Sequence, residues 1–320
     1  LNSVRGTILS LLKWLFIAIV LYFVVRAVAS QLEHFDWRHA RVAPLPLILA
    51  TACLTAIYAA RTVSFRWLLQ GYARLEHCPM PRWDEMAVVA WVPQLAKYVP
   101  GQVASIAGAV ALLRRFGVGG VVAISVVLVM DGLAVLTGLM TGSPLLLWQP
   151  VRELLPMGWV LCLALVVGGV VMLLPGVYGR AINVLLRRMG RPPLDAMPPL
   201  SNYIGPILLG FMQWILAGLA LWLTARSIVP AGVRLDRIWV FTAISALGYT
   251  AGYLSPLPGG LGVRDAIFQA TLTQLIGGSA GLVVVCVRIV QTGVELVMAA
   301  LGGVILKRIR PNPRSTSAVE

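Results

Sequence analysis

Apolar residues run along this chain in long blocks, and the blocks are of two kinds. Six are unbroken and long enough for a helix to cross a ~30 Å hydrocarbon core: residues 8–28, 44–69, 118–142, 157–175, 201–224 and 279–306. Two others, 84–120 and 243–278, are interrupted near their middles. The first breaks at Lys97-Tyr98-Val99-Pro100-Gly101, the second at Ser255-Pro256-Leu257-Pro258-Gly259-Gly260. Each half of the first is about 14 residues, or ~21 Å, too short to cross. Proline removes a helix donor and biases the residue before it, while glycine permits a sharp turn. The pattern predicts two helical hairpins that enter the membrane, turn near its middle and leave on the same side. The predicted fold is all-α: a polytopic membrane protein with six spanning helices and two re-entrant hairpins, forming one transmembrane domain over 1–320.

The breaks repeat. An offset of 158 carries Pro100 onto Pro258, Gly101 onto Gly259, and Gly119-Gly120 onto Gly277-Gly278. It also lays 44–69 over 201–224 and 121–142 over 279–300. Three crossings separate the hairpins, so the second enters from the opposite face. The halves, about 1–142 and 157–306, then form an inverted-topology repeat. Such repeats point to transporters, with sites near the midplane between discontinuous helices.

Composition agrees with a membrane protein. The chain is 59% hydrophobic and 12% charged, with mean hydropathy +0.86, against roughly 25% charged residues in soluble proteins. The net charge of +14 does not indicate nucleic acid, because the basic residues lie between apolar runs. With the N-terminus inside, thirteen Lys and Arg fall on inner segments and seven on outer ones, which favours both termini in the cytoplasm. Segment 176–200, with Arg180, Arg187, Arg188 and Arg191, reads as a basic amphipathic stretch along the interface. Ala27-Val28-Ala29 has the form of a signal-peptidase site, but the long run before it, with Arg26 at its end, reads as a retained anchor.

The four cysteines show no CxxC spacing, and His34, His39 and His77 show no HExxH arrangement. No metal, cofactor or catalytic constellation is expected, and the protein is read as not an enzyme.

Candidate chemistry lies in ionisable residues inside apolar segments, where charge is costly and functional by default. Asp131 lies mid-span, Lys97 precedes the first turn, and Arg264 and Asp265 follow the second. Arg288, Gln291 and Glu295 share one helix face by their i, i+3, i+7 spacing. The repeat predicts an Asp131–Arg288 pair. Half-helices starting after Gly101 and Gly260 would aim unpaired N–H groups at one cavity, suiting a lipid phosphate. The candidate head-group contacts are therefore Lys97, Pro100, Gly101, Pro258, Gly259, Gly260, Arg264 and Arg288. Asp131, Asp265 and Glu295 are candidates for charge balance or proton coupling. Arg61 and Arg66 read as snorkelling toward the inner end of their span.

The first break, with its half-helix ending Leu113-Arg114-Arg115-Phe116-Gly117-Val118, resembles the KYxPG…GV signature of the lysylphosphatidylglycerol synthase transmembrane region, or flippase-like, family. Pro256-Leu257-Pro258-Gly259-Gly260-Leu261-Gly262-Val263-Arg264-Asp265 resembles its second signature, PxPGGxGxxE, with Asp265 where Glu is common. The resemblance covers nearly the whole chain. It implies translocation of a lipid with a bulky polar head group across the bacterial inner membrane. The chain stops at Glu320, so the aminoacyl-transferase domain of the bifunctional synthases is expected to be absent. Membrane lipids are the expected partners and nucleic acid is not. A homo-oligomer and a lipid-synthesising enzyme stay open as further partners. The rival functions are a non-transporting accessory subunit of a lipid-modifying pathway and a membrane-embedded enzyme acting on lipid head groups.

Overall fold

The computed structural model describes residues 42–98, 103–230, 233–255 and 262–309, together with Tyr22, Leu257 and Gly260. Every regular element among them is helical, which satisfies the backbone internally as lipid requires. In chain order these are α1 (Pro44–Leu75), α2 (Trp83–Trp91) with a 3₁₀ continuation (Val92–Tyr98), α3 (Val103–Arg115), α4 (Gly120–Gly142), α5 (Gln149–Leu154) and α6 (Gly158–Met172). There follow α7 (Pro175–Arg188), α8 (Ser201–Ile228), α9 (Ile238–Leu254), α10 (Val263–Ile276) and α11 (Ala280–Arg308).

Among the described residues, four helical stretches are long and apolar enough to cross a membrane, or five if the bent pair α6 and α7 counts as one. The expected span at 8–28 lies outside the described residues. The expected span at 157–175 forms a helix of only 15 residues, about 22 Å long. The chain then turns, and Pro175 opens the first turn of α7, where its missing N–H costs no hydrogen bond. The stretch from α10 to α11 reverses at Gly277, whose φ of 62° suits glycine. Asp265 and Arg288, nearly equidistant from that glycine, meet across the turn at 2.8 Å.

Helices α1 and α8 run antiparallel along each other. Ala43, before α1, donates its N–H to Ser227 near the end of α8, and Tyr72 meets Tyr203 at the other end, 3.2 Å apart. Both helices therefore serve two apolar cores. One core gathers Phe65, Leu68, Tyr72, Met86, Leu113, Val126 and Tyr203. The other gathers Ala50, Leu54, Leu221, Phe241, Phe268 and Val283.

In lipid, helices associate through close packing and interhelical hydrogen bonds. At the crossing of α4 and α9, a Cβ on Gly138 would sit 2.2 Å from Thr250 Oγ1, and one on Gly142 would sit 2.5 Å from Leu247 Cγ. Only glycine lets these backbones approach. Trp83, Trp159 and Trp239, near the ends of apolar segments, are exposed, as interfacial anchors are. Trp148 is buried in the second core.

Helix α7 is amphipathic as expected. Tyr178, Ile182 and Leu186 recur every fourth residue on its buried side, and Arg180, Arg187 and Arg188 are exposed. Tyr178 ties it to α4 by donating its hydroxyl to the Val129 carbonyl, 3.0 Å away.

Candidate functional site

Both broken segments fold as helix, break and helix. In the first, α2 tightens into a 3₁₀ turn that ends at Tyr98, and α3 resumes at Val103. Proline at 93 and again at 100 deprives this stretch of helix donors. In the second, α9 ends at Leu254 and α10 resumes at Val263. Gly260 (φ 67°) packs against Gly252, so a Cβ there would come within 2.8 Å of the Gly252 Cα. Pro100, Gly101, Pro258 and Gly259 lie outside the described residues.

The segments flanking the two turns converge on one cavity of about 230 Å³. The first supplies Gln94, Lys97 and Ser105, and the second supplies Tyr249, Tyr253 and Arg264. Helix α1 adds Tyr58 and Arg61, α4 adds Asp131, α8 adds Gln213 and Trp214, and α11 adds Gln291 and Glu295. One part of the wall is apolar, formed by Leu54, Ile57, Leu133 and Val294. Four of the predicted site residues, Lys97, Asp131, Arg264 and Glu295, therefore share one space.

Helix α11 carries the polar face on which both hairpins rest. Glu295, 1% exposed, pairs with Lys97 and accepts the Tyr98 hydroxyl at 2.7 Å. It also accepts the Gln291 amide at 2.7 Å. The oxygen of that amide accepts Arg264 Nη1 at 2.6 Å and the Tyr249 hydroxyl at 2.8 Å. Gln291 thus joins the carboxylate that holds the first hairpin to the guanidinium of the second. The shared face expected for Arg288, Gln291 and Glu295 is present, and Thr292, 3.3 Å from the Tyr98 hydroxyl, extends it.

The expected Asp131–Arg288 pair does not form. Asp131 accepts instead from Arg61 Nη2 at 3.2 Å, and Arg288 donates to Asp265 at 2.8 Å. Antiparallel packing of α10 on α11 sets Asp265 against Arg288, while Asp131 on α4 lines the cavity with Arg61. Arg61 is no snorkelling residue: α1 extends to Leu75, so Arg61 sits mid-helix and turns inward to the cavity. With its amide oxygen turned toward that guanidinium, Gln94 accepts from it at 3.2 and 3.3 Å. Arg66 donates to the Pro81 carbonyl and stacks on Trp83, 4.4 Å from the ring centre, holding the loop before α2.

The start of α10 is also not the free anion site expected, while the residues just before α3 lie outside the described ones. Asp265 accepts the Gly262 N–H at 3.3 Å and so caps the start of α10 itself. Arg288 lies behind Asp265 and does not line the cavity. Sequence reasoning missed Tyr58, Gln94, Gln213, Trp214, Tyr249 and Tyr253, all of which line it. Tyr249 and Tyr253 carry a legible signal, since they fall one turn apart just before the second break.

No His, Cys, Asp and Glu cluster able to hold a metal occurs among the described residues. The family model described as lysylphosphatidylglycerol synthase TM region matches residues 10–300. No curated protein matches the chain.

Proposed function

The chain belongs to the lysylphosphatidylglycerol synthase transmembrane-region family, and from that membership and its cavity we propose that it translocates a lipid across the bacterial inner membrane. The observation that carries this reading is the shared cavity. Two broken hairpins, far apart in sequence, line one space in which buried charges face an apolar wall. A polar head group would occupy the charged side while acyl chains lie against Leu54, Ile57 and Leu133. Discontinuous helices near a midplane site are the arrangement transporters use for this purpose.

The antiparallel course of α1 and α8 supports an inverted repeat of about 1–142 and 157–306, because the offset of 158 overlays these two helices. Six crossings and cytoplasmic termini belong to the same proposal. In it, the two halves open the cavity alternately to each leaflet. The protein acts as a carrier and not as an enzyme.

The test is lipid movement between leaflets of liposomes containing the purified full chain, followed with fluorescent phospholipids quenched from outside. Movement faster than in protein-free liposomes, and slowed by Lys97→Ala, is expected. Rates equal to protein-free liposomes across anionic and zwitterionic lipids would sink the reading.

A further inference from the structure

The charges around the cavity do not balance. Among the described residues, four cations (Arg61, Lys97, Arg264 and Arg288) stand with three carboxylates (Asp131, Asp265 and Glu295) in and behind its wall. The surplus is one positive charge, in surroundings where water screens little.

Each carboxylate is already engaged by the protein. Asp131 accepts from Arg61, and Glu295 receives Lys97, Tyr98 and Gln291. Asp265, behind the wall, accepts from Arg288 and from the Gly262 N–H through Oδ2, and its Oδ1 is buried without a hydrogen-bond partner. Arg264 must share Asp265, whose oxygen lies 3.5 Å away, and its one close hydrogen bond goes to the neutral amide of Gln291. Its Nε has no hydrogen-bond partner, although the residue is only 3% exposed and lines the cavity. A neutral hydroxyl on the same wall, Thr250 Oγ1, is likewise buried without a partner.

A guest phosphate would therefore gain charge-assisted hydrogen bonds without displacing any protein carboxylate. A guest ammonium would have to share Asp131 or Glu295 with the Arg61 or Lys97 already held there, adding positive charge to a site that already carries a surplus of it, which is unfavourable. A lysyl-esterified head group brings two ammonium groups and fits worst. We infer that the cavity selects a lipid whose head group is a net-anionic phosphodiester with a neutral remainder and no ammonium group. This inference rests on the lipid reading above and narrows it to a charge class.

The experiment is calorimetric titration of the detergent-solubilised full chain with short-chain phosphatidylglycerol, phosphatidylethanolamine and lysyl-phosphatidylglycerol. Phosphatidylglycerol is expected to bind at least about tenfold more tightly than the other two. Arg264→Gln should reduce that preference to about threefold or less, with Arg264→Lys intermediate. Should Arg264→Gln fail to fold, Asp131→Asn serves: freeing Arg61 of its carboxylate should tighten phosphatidylglycerol binding. Equal or tighter binding of the lysyl lipid would overturn the inference, as would an unchanged preference in Arg264→Gln or no binding of any of the three. Selective binding without lipid movement in liposomes removes the translocation reading and leaves the selectivity standing. Movement of lysyl-phosphatidylglycerol as fast as phosphatidylglycerol does the opposite.

Discussion

Lys97 and Glu295, 198 residues apart, form an ion pair that ties the tip of the first hairpin to the middle of α11. The carboxylate is 1% exposed and the ammonium side chain 19% exposed, so neither charge is well solvated. Removing one partner of such a pair strands the other. Lys97→Met is expected to cost about 3 kcal/mol of stability, toward the low end of the range for buried pairs because Tyr98 and Gln291 still donate to Glu295. Replacing both partners with Met should cost less than Lys97→Met alone. Unfolding in mixed detergent micelles measures both. A double variant as unstable as the sum of the single ones would mean that the pair has no coupling energy.

Gln291 has no charge, yet both ends of its amide are committed. Gln291→Leu leaves Arg264 and Tyr249 without their acceptor and Glu295 without one donor. Unsatisfied buried groups of this kind cost about 1–3 kcal/mol each. Gln291→Glu keeps the acceptor for Arg264 but sets a second carboxylate beside Glu295. It should be less stable than wild type in the same micellar unfolding measurement, and a variant as stable as wild type would argue against the contact.

Packing at the crossing of α4 and α9 makes a paired prediction. Gly138→Ala drives a methyl into Thr250 and Trp214, and is expected to destabilise by about 1–3 kcal/mol. Gly168→Ala on α6 meets nothing within 4 Å and should be neutral or stabilising by up to about 1 kcal/mol. Thermal denaturation in one detergent separates them. Equal shifts would mean the helices cross elsewhere.

Much of this site was legible in the sequence because charge within an apolar segment is costly and therefore conspicuous. Lys97, Asp131, Arg264 and Glu295 stood out on that ground, and all four line the cavity. The pairing was less legible. Pseudo-symmetry relates Asp131 to the region of Arg288, but contacts are set by chain reversal, and the reversal at Gly277 gives Arg288 to Asp265. Arg61 was misread because the apolar run ends at 69 whereas the helix continues to Leu75. Fourteen further residues, ~21 Å at 1.5 Å each, separate it from that end. Neutral wall residues such as Gln213 and Trp214 gave no signal, since an amide or indole in an apolar run is not costly enough to stand out.

The corrected pairing has its own test. If Asp131 belongs to Arg61, then Asp131→Arg sets two guanidiniums together and should abolish lipid movement or prevent folding. Arg61→Asp alone should do the same with two carboxylates. The double variant, Arg61→Asp with Asp131→Arg, restores one charge of each sign across the same 3.2 Å gap. It should recover stability to within about 2 kcal/mol of wild type, the remainder reflecting the lost contact of Arg61 with Gln94 and the Phe65 ring. The corresponding exchange of Asp131 with Arg288 should rescue nothing, because Arg288 faces Asp265. Rescue by the second exchange but not the first would return Asp131 to the partner that the repeat alone suggested.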